Sequence, residues 1–132
     1  MRNNESENSI TQNNLAEENV CNLGYLIDAM GGKKNLIKEI IDIFLKQVPE
    51  ELQSISDAII KIDYPSIKGF AHTMKSSVSI MGISMLTPIL QEMEDLGAAK
   101  GDMEKIKTLN HKLNLVCTQA MGEIEKEKPN YV

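Results

Sequence analysis

Phe70-Ala71-His72-Thr73-Met74-Lys75-Ser76-Ser77-Val78-Ser79-Ile80-Met81-Gly82 is the stretch whose reading decides the fold. Together with Ile67, the residues Phe70, Ala71, Met74, Val78 and Met81 recur at helical spacing, which gathers them on one apolar face. At 3.6 residues per turn, His72 falls about 150° from the centre of that face, so its imidazole points to solvent. Lys68 (i−4) and Lys75 (i+3) are its neighbours on the exposed side. Ser76 and Ser79 continue the strip, and both are small. An exposed imidazole beside an ammonium group, on a strip free of bulky side chains, suits a group that another protein must reach.

Working outward, the flanking segments also read as helices. Asn22 is a candidate cap for a short helix through Leu23, Tyr25, Leu26, Ile27 and Met30, ended by Gly31-Gly32. Leu36, Ile37, Ile40, Ile41, Phe44, Leu45, Val48, Leu52, Ile55, Ile59 and Ile62 then hold one stripe, in phase across Pro49. That phase predicts a single bent helix instead of a restart at the proline. Asp63 with Pro65 reads as cap and first turn of the histidine helix, and Gly82 as its end. Ser84 or Thr87 is expected to start the next helix, Thr87-Pro88 being a good cap and first-position pair, with Leu86, Ile89, Leu90, Met93 and Leu96 buried. Lys100-Gly101-Asp102 makes a turn and cap. The last helix buries Ile106, Leu109, Leu113, Cys117, Ala120 and Ile124 and ends near Pro129.

Short loops between helices with one apolar face each imply an all-α fold. We expect an up-and-down antiparallel four-helix bundle with a short additional N-terminal helix. Residues 1–19, rich in Asn, Glu, Ser and Gln, read as a disordered or weakly ordered tail, and residues 20–128 as the bundle. Eight Met and no Trp suit a helical core, and Met74, Met81, Met85 and Met93 are its expected fillers.

Composition narrows the function. At 132 residues the chain can bury a core without disulfides or a structural metal. The net charge of −5 argues against a nucleic-acid binder, which needs a basic face. Cys21 and Cys117 have no metal spacing. No run approaches the ~18 to 20 apolar residues of a membrane span, and no basic-then-apolar leader opens the chain. A cytoplasmic protein, with one apolar face per helix and so a monomer, is the expectation.

Imidazole is a neutral nucleophile near pH 7 and can hold a phosphoryl group as a phosphoramidate. Phosphoryl transfer then needs positive charge near the equatorial oxygens, which Lys75 can supply. The chain has no G-x-x-x-x-G-K-S/T loop to activate ATP and no carboxylate cluster that reads as a magnesium site. It is therefore expected to be a carrier and not an enzyme, with no cofactor or metal of its own. His111 also lies opposite its helix's apolar stripe, but Asn114 and Leu115 follow it, so it reads as plain surface.

Ala71-His72-Thr73-Met74-Lys75-Ser76-Ser77, followed by Gly82, resembles the signature of histidine-containing phosphotransfer (HPt) domains, A-H-x-L-K-G-S/A-S/A with a later Gly. The resemblance spans about Leu23 to Ile124. It departs at Ser76, where the family usually has Gly to let a partner come close. The resemblance implies that His72 accepts the phosphoryl group and Lys75 stabilises it, while Lys68, Ser76 and Ser79 help dock a partner. It implies receiver domains of response regulators as partners, which bring their own Mg2+, and a sensor or hybrid histidine kinase. It also implies that a residue on the following helix bonds the second ring nitrogen: Glu94, or Gln91 if the register slips by one turn. An HPt-like adaptor that binds a receiver domain without being phosphorylated is the alternative, and Ser76 is the feature that favours it.

Overall fold

In the computed structural model, residues 19–131 are described. Of the predicted tail, residues 1–18 lie outside them, and Asn19 is the first residue described. The described residues are all-helical. Helix α1 spans Gly24–Ala29, α2 Lys34–Ile60, α3 Tyr64–Ile80, α4 Leu86–Ala99 and α5 Met103–Glu127, followed by a 3-10 turn at Lys128–Tyr131. Each long helix packs on the next, and α5 closes back on α2, giving the four-helix up-and-down bundle with α1 leading in.

The core is the set of apolar stripes turned inward. Ile37, Ile41, Phe44, Val48 and Ile55 come from α2, and Ile67, Ala71, Met74 and Val78 from α3. Leu86, Leu90 and Met93 come from α4, and Ile106, Leu113, Cys117, Ala120 and Ile124 from α5. Helix α2 runs unbroken through Pro49, as its phase predicts, because the residues on both sides share one buried face.

Several local expectations are corrected. Ile62 leaves the α2 stripe: it follows the helix in the left-handed region, at φ 54, and is exposed. Phe70 is 39% exposed, because it sits at the edge of the α3 stripe and not at its centre. Met85 is exposed too, on the turn before α4 and not inside the core. Thr87 does not cap α4; the helix begins at Leu86, behind a turn in which the Leu86 and Thr87 amides donate to Ile83 and Ser84 carbonyls. Leu23, not Asn22, is the capping residue of α1, yet the Asn22 side chain still accepts from the Gly24 amide at 3.0 Å.

Helix α3 is fixed at both ends. At its start, Asp63 accepts from the Ser66 amide at 3.2 Å and from the Ser66 hydroxyl at 2.7 Å, and these bonds hold the Asp63 carboxyl below its ordinary pKa. The Tyr64 hydroxyl donates to the Gly101 carbonyl at 2.8 Å, tying this end to the α4–α5 turn. At the other end Gly82 takes φ 65, and a Cβ there would lie 2.2 Å from the Asn22 backbone oxygen. The Asn22 amide donates to the Met81 carbonyl at 3.2 Å, so the segment before α1 lies directly across the end of α3. The same segment is held on α5 by Glu123, which accepts from the Val20 and Cys21 amides at 2.8 and 3.0 Å.

One carboxyl group is placed at a cost. Glu51 of α2 reaches inward toward α3, where Ser77 Oγ donates to its Oε2 across 3.5 Å, and its buried Oε1 has no hydrogen-bond partner among the described residues. Loss of hydration raises its pKa, and the Ser77 bond offsets part of that rise.

Two predictions follow from these placements. Gly82→Ala combines a left-handed backbone, costing about 1–2 kcal/mol for an L-residue, with a backbone collision, so urea unfolding should show a loss of about 2 kcal/mol or more. For Glu51 the folded pKa lies above the unfolded one, so its favourable contribution holds at low pH and is lost as pH rises through the folded value. Glu51→Gln should therefore raise the Tm at pH 7, and the gain should vanish below the ordinary glutamate pKa of ~4.3.

Candidate functional site

The site lies where α3 and α4 face each other. Helix periodicity puts His72 and Lys75 one turn apart on α3, and Gln91 and Glu94 one turn apart on α4. Close helix approach lets the two pairs meet. Gly97 of α4 packs on the backbone of α3 at Lys68: a Cβ at Gly97 would lie 3.0 Å from the Lys68 amide nitrogen. Gly97 is buried and stands one turn beyond Glu94, so its lack of a side chain lets the two helices approach at the level of Glu94 and His72.

The result is a connected polar array. His72 Nδ1 is 3.0 Å from Glu94 Oε2, while the His72 side chain is 67% exposed and that of Glu94 16%. Lys75 Nζ lies 2.7 Å from Glu94 Oε1 and donates at 2.7 Å to Gln91 Oε1. Gln91 Nε2 in turn donates to Asp95 Oδ1 at 2.9 Å. One carboxylate thus serves two partners, one oxygen to each. The Lys75 hydrogen bond first, and then the His72 bond, hold the Glu94 carboxyl below its ordinary pKa, against the partial desolvation that would raise it.

This geometry assigns the ring its chemistry. An ionised carboxylate only accepts hydrogen bonds, so Nδ1 carries the proton. In the neutral ring Nε2 then holds the free electron pair, and it has no hydrogen-bond partner among the described residues. The array therefore presents one nucleophilic nitrogen to solvent on a ring whose other nitrogen is anchored.

Beside the array runs an open groove of about 650 Å³ between α1, α3 and α4. Tyr25 of α1, Lys75, Ser76, Ser79 and Ile80 of α3 and Thr87 of α4 line it. Tyr25 is 66% exposed and Ile80 36%, so the groove offers apolar surface beside Lys75.

His72, Lys75 and Glu94 are thus brought together, and Ser76 and Ser79 open onto the adjoining groove. Lys68 is exposed and joins none of these hydrogen bonds; its backbone is the seat of Gly97. Gln91, the alternative partner for the ring, bonds Lys75 instead. His111 is exposed on α5, away from the array. Sequence reasoning did not single out Gly97, Tyr25 or Ile80. The i, i+3 spacing of Gly97 from Glu94 and the paired i, i+3 steps on α3 and α4 are the signals that were available. Among the described residues no cluster of His, Cys, Asp and Glu is arranged to hold a metal ion, and no helix is long and apolar enough to cross a membrane.

Comparison with known proteins gives this geometry a context. The crystal structure of histidine-containing phosphotransfer protein B from Pseudomonas aeruginosa PAO1 superposes with a TM-score of 0.78. That match has 18% identity and covers 87% of this chain and 99% of the other, which establishes a shared fold. No match is found among curated proteins. The family model for the Hpt domain matches residues 39–123, a span that holds His72, Lys75, Gln91, Glu94 and the whole α3–α4 contact. This chain belongs to the Hpt domain family, the histidine-containing phosphotransfer proteins of phosphorelays.

Proposed function

We propose that the chain is a phosphorelay intermediate in which His72 takes a phosphoryl group from a receiver-domain aspartyl phosphate, or from a sensor kinase, and passes it to a response regulator. One observation carries this reading: Glu94 Oε2 lies 3.0 Å from His72 Nδ1, a pairing that favours the Nδ1–H tautomer and leaves the electron pair of the neutral ring on Nε2. Nε2 attacks phosphorus, the N–P bond forms and the acyl phosphate P–O bond breaks. The electron pair leaves with the donor aspartate. No proton has to be removed from the ring, because its one N–H stays on Glu94. The phosphorylated ring is cationic, and the Glu94 carboxylate faces that charge. Return of the phosphoryl group to a second aspartate runs the same steps backwards.

Lys75, one turn from His72 and paired with the same carboxylate, serves the equatorial oxygens. The Mg2+ that phosphoryl transfer needs belongs to the receiver domain. The groove beside Lys75 takes a surface of that domain, with Tyr25 and Ile80 as apolar contacts and Ser76 and Ser79 as a low floor. Lys68 adds positive field at the edge of the same face. Ser76 keeps the floor low where Gly is usual, and its hydroxyl can donate to a phosphoryl oxygen.

The test is mass spectrometry of the protein after incubation with a phosphorylated receiver domain and Mg2+. An acid-labile, alkali-stable phosphate on His72, absent from His72→Gln, is the expected result. His72→Gln should fold normally by circular dichroism, because the side chain is largely outside the core. Label retained in His72→Gln overturns the reading, and receiver binding without label assigns the chain to the adaptor role. A second check concerns the anchor. A hydrogen bond to a charged group is worth about 1.5–3 kcal/mol, so Glu94→Ala should slow labelling by about tenfold or more, with Glu94→Gln intermediate because its amide oxygen still accepts from Nδ1.

A further inference from the structure

Lys75 is not poised on the imidazole in this structure. Its ammonium group is drawn toward α4, where Glu94 Oε1 and Gln91 Oε1 each lie 2.7 Å away, and its side chain is only 23% exposed. Of its three N–H donors one is given to Gln91 Oε1, while Glu94 Oε1 holds the group as an ion pair. For Lys75 to move to a phosphoryl group on Nε2, one of these two contacts must loosen.

The two contacts are unequal. Glu94 is ionised and is itself fixed by His72, so its hold on Lys75 is that of an ion pair between full charges. Gln91 is neutral and gives the weaker bond, the one that yields. Its orientation is nevertheless settled. Nε2 donates to Asp95 Oδ1 at 2.9 Å, which turns Oε1 toward Lys75. The reverse orientation would set an NH2 group against the ammonium and an amide oxygen against the Asp95 carboxylate, both repulsive. Asp95 is i+4 from Gln91 on the same helix, so α4 itself fixes that orientation.

We propose that Gln91 is a positioning residue for Lys75: its carboxamide, oriented by Asp95, holds the ammonium on the α4 side in the resting protein and releases it when His72 carries a phosphoryl group. This rests on the phosphorelay reading and adds to it a residue that sets how much of the Lys75 charge the phosphoryl group receives. Removing the Gln91 oxygen leaves Lys75 with Glu94 alone and a freer path to the phosphoryl oxygens.

The test needs no partner protein. Phosphoramidate serves as donor: its P–N bond breaks, ammonia leaves, and a new bond joins phosphorus to Nε2. The titration midpoint of the phosphoryl group is then read by 31P NMR in the full chain. The charged groups of the array around it are Lys75 from α3 and Glu94 and Asp95 from α4, with Gln91 the neutral member that is varied. A cation brought closer favours the dianion, so Gln91→Leu and Gln91→Ala should both lower the midpoint, by about 0.5 pH unit for a shift worth one ordinary hydrogen bond. The same substitutions made with Lys75→Ala should leave it unmoved. An unchanged or raised midpoint in both Gln91 variants overturns the inference, as does a shift that persists without Lys75. Either result leaves the phosphorelay reading standing if the wild-type protein is labelled on His72. A wild-type protein that takes no label from phosphoramidate or from a phosphorylated receiver overturns both.

Discussion

The site depends on one carboxylate shared between two side chains of the neighbouring helix. Glu94 reaches from α4 to α3 and gives one oxygen to His72 and the other to Lys75. Such sharing is possible only if the helices approach closely at that level. Gly97, one turn further along α4, makes the approach by lying on the Lys68 backbone. Any side chain there meets backbone atoms, which cannot rotate away as a side-chain tip can. A contact that looks like ordinary core packing therefore sets the tautomer of an exposed imidazole.

The remainder of the bundle keeps that crossing fixed. Asp63 and Tyr64 hold the start of α3, one by capping and the other by tying it to the Gly101 turn. Gly82 and the Asn22 segment hold its end. Met74 and Val78 are fully buried beneath the exposed face of α3, so the helix cannot roll without opening the core. The functional groups stand on helices and not on loops. The free energy that orients His72 is thus the packing energy of the fold, with one local hydrogen bond to finish the placement.

Much of this was legible in the sequence because it depends on periodicity and caps. The stripe through Ile67, Ala71, Met74 and Val78 put His72 outward, and α3 carries it outward. The unbroken phase across Pro49 foretold a continuous α2, and Asp63 and Asp102 cap the helices they precede. The errors fall where a stripe meets its edge or its end. Phe70 and Ile62 have the right spacing, but partial burial at an edge, and a left-handed turn after a helix, are not periodic properties. Thr87-Pro88 satisfies a local rule for a helix start, yet Ile83 and Leu86 are both buried, and burying them draws the helix start back to Leu86.

The site was legible by a different route. His72 and Lys75 lie in one short stretch, so their relation is local. The choice between Glu94 and Gln91 turned on the register of α4 against α3, which no single-helix pattern contains. Here both residues are used, and for different partners, because a 3-residue step on one helix faces a 3-residue step on the other. His72 meets Glu94, and Lys75 spans Glu94 and Gln91. The carboxylate that meets the His72 ring at the same time restrains the Lys75 ammonium group. One carboxylate on α4 thus sets the placement of two side chains on α3, and the amide one turn before it holds the second of them as well.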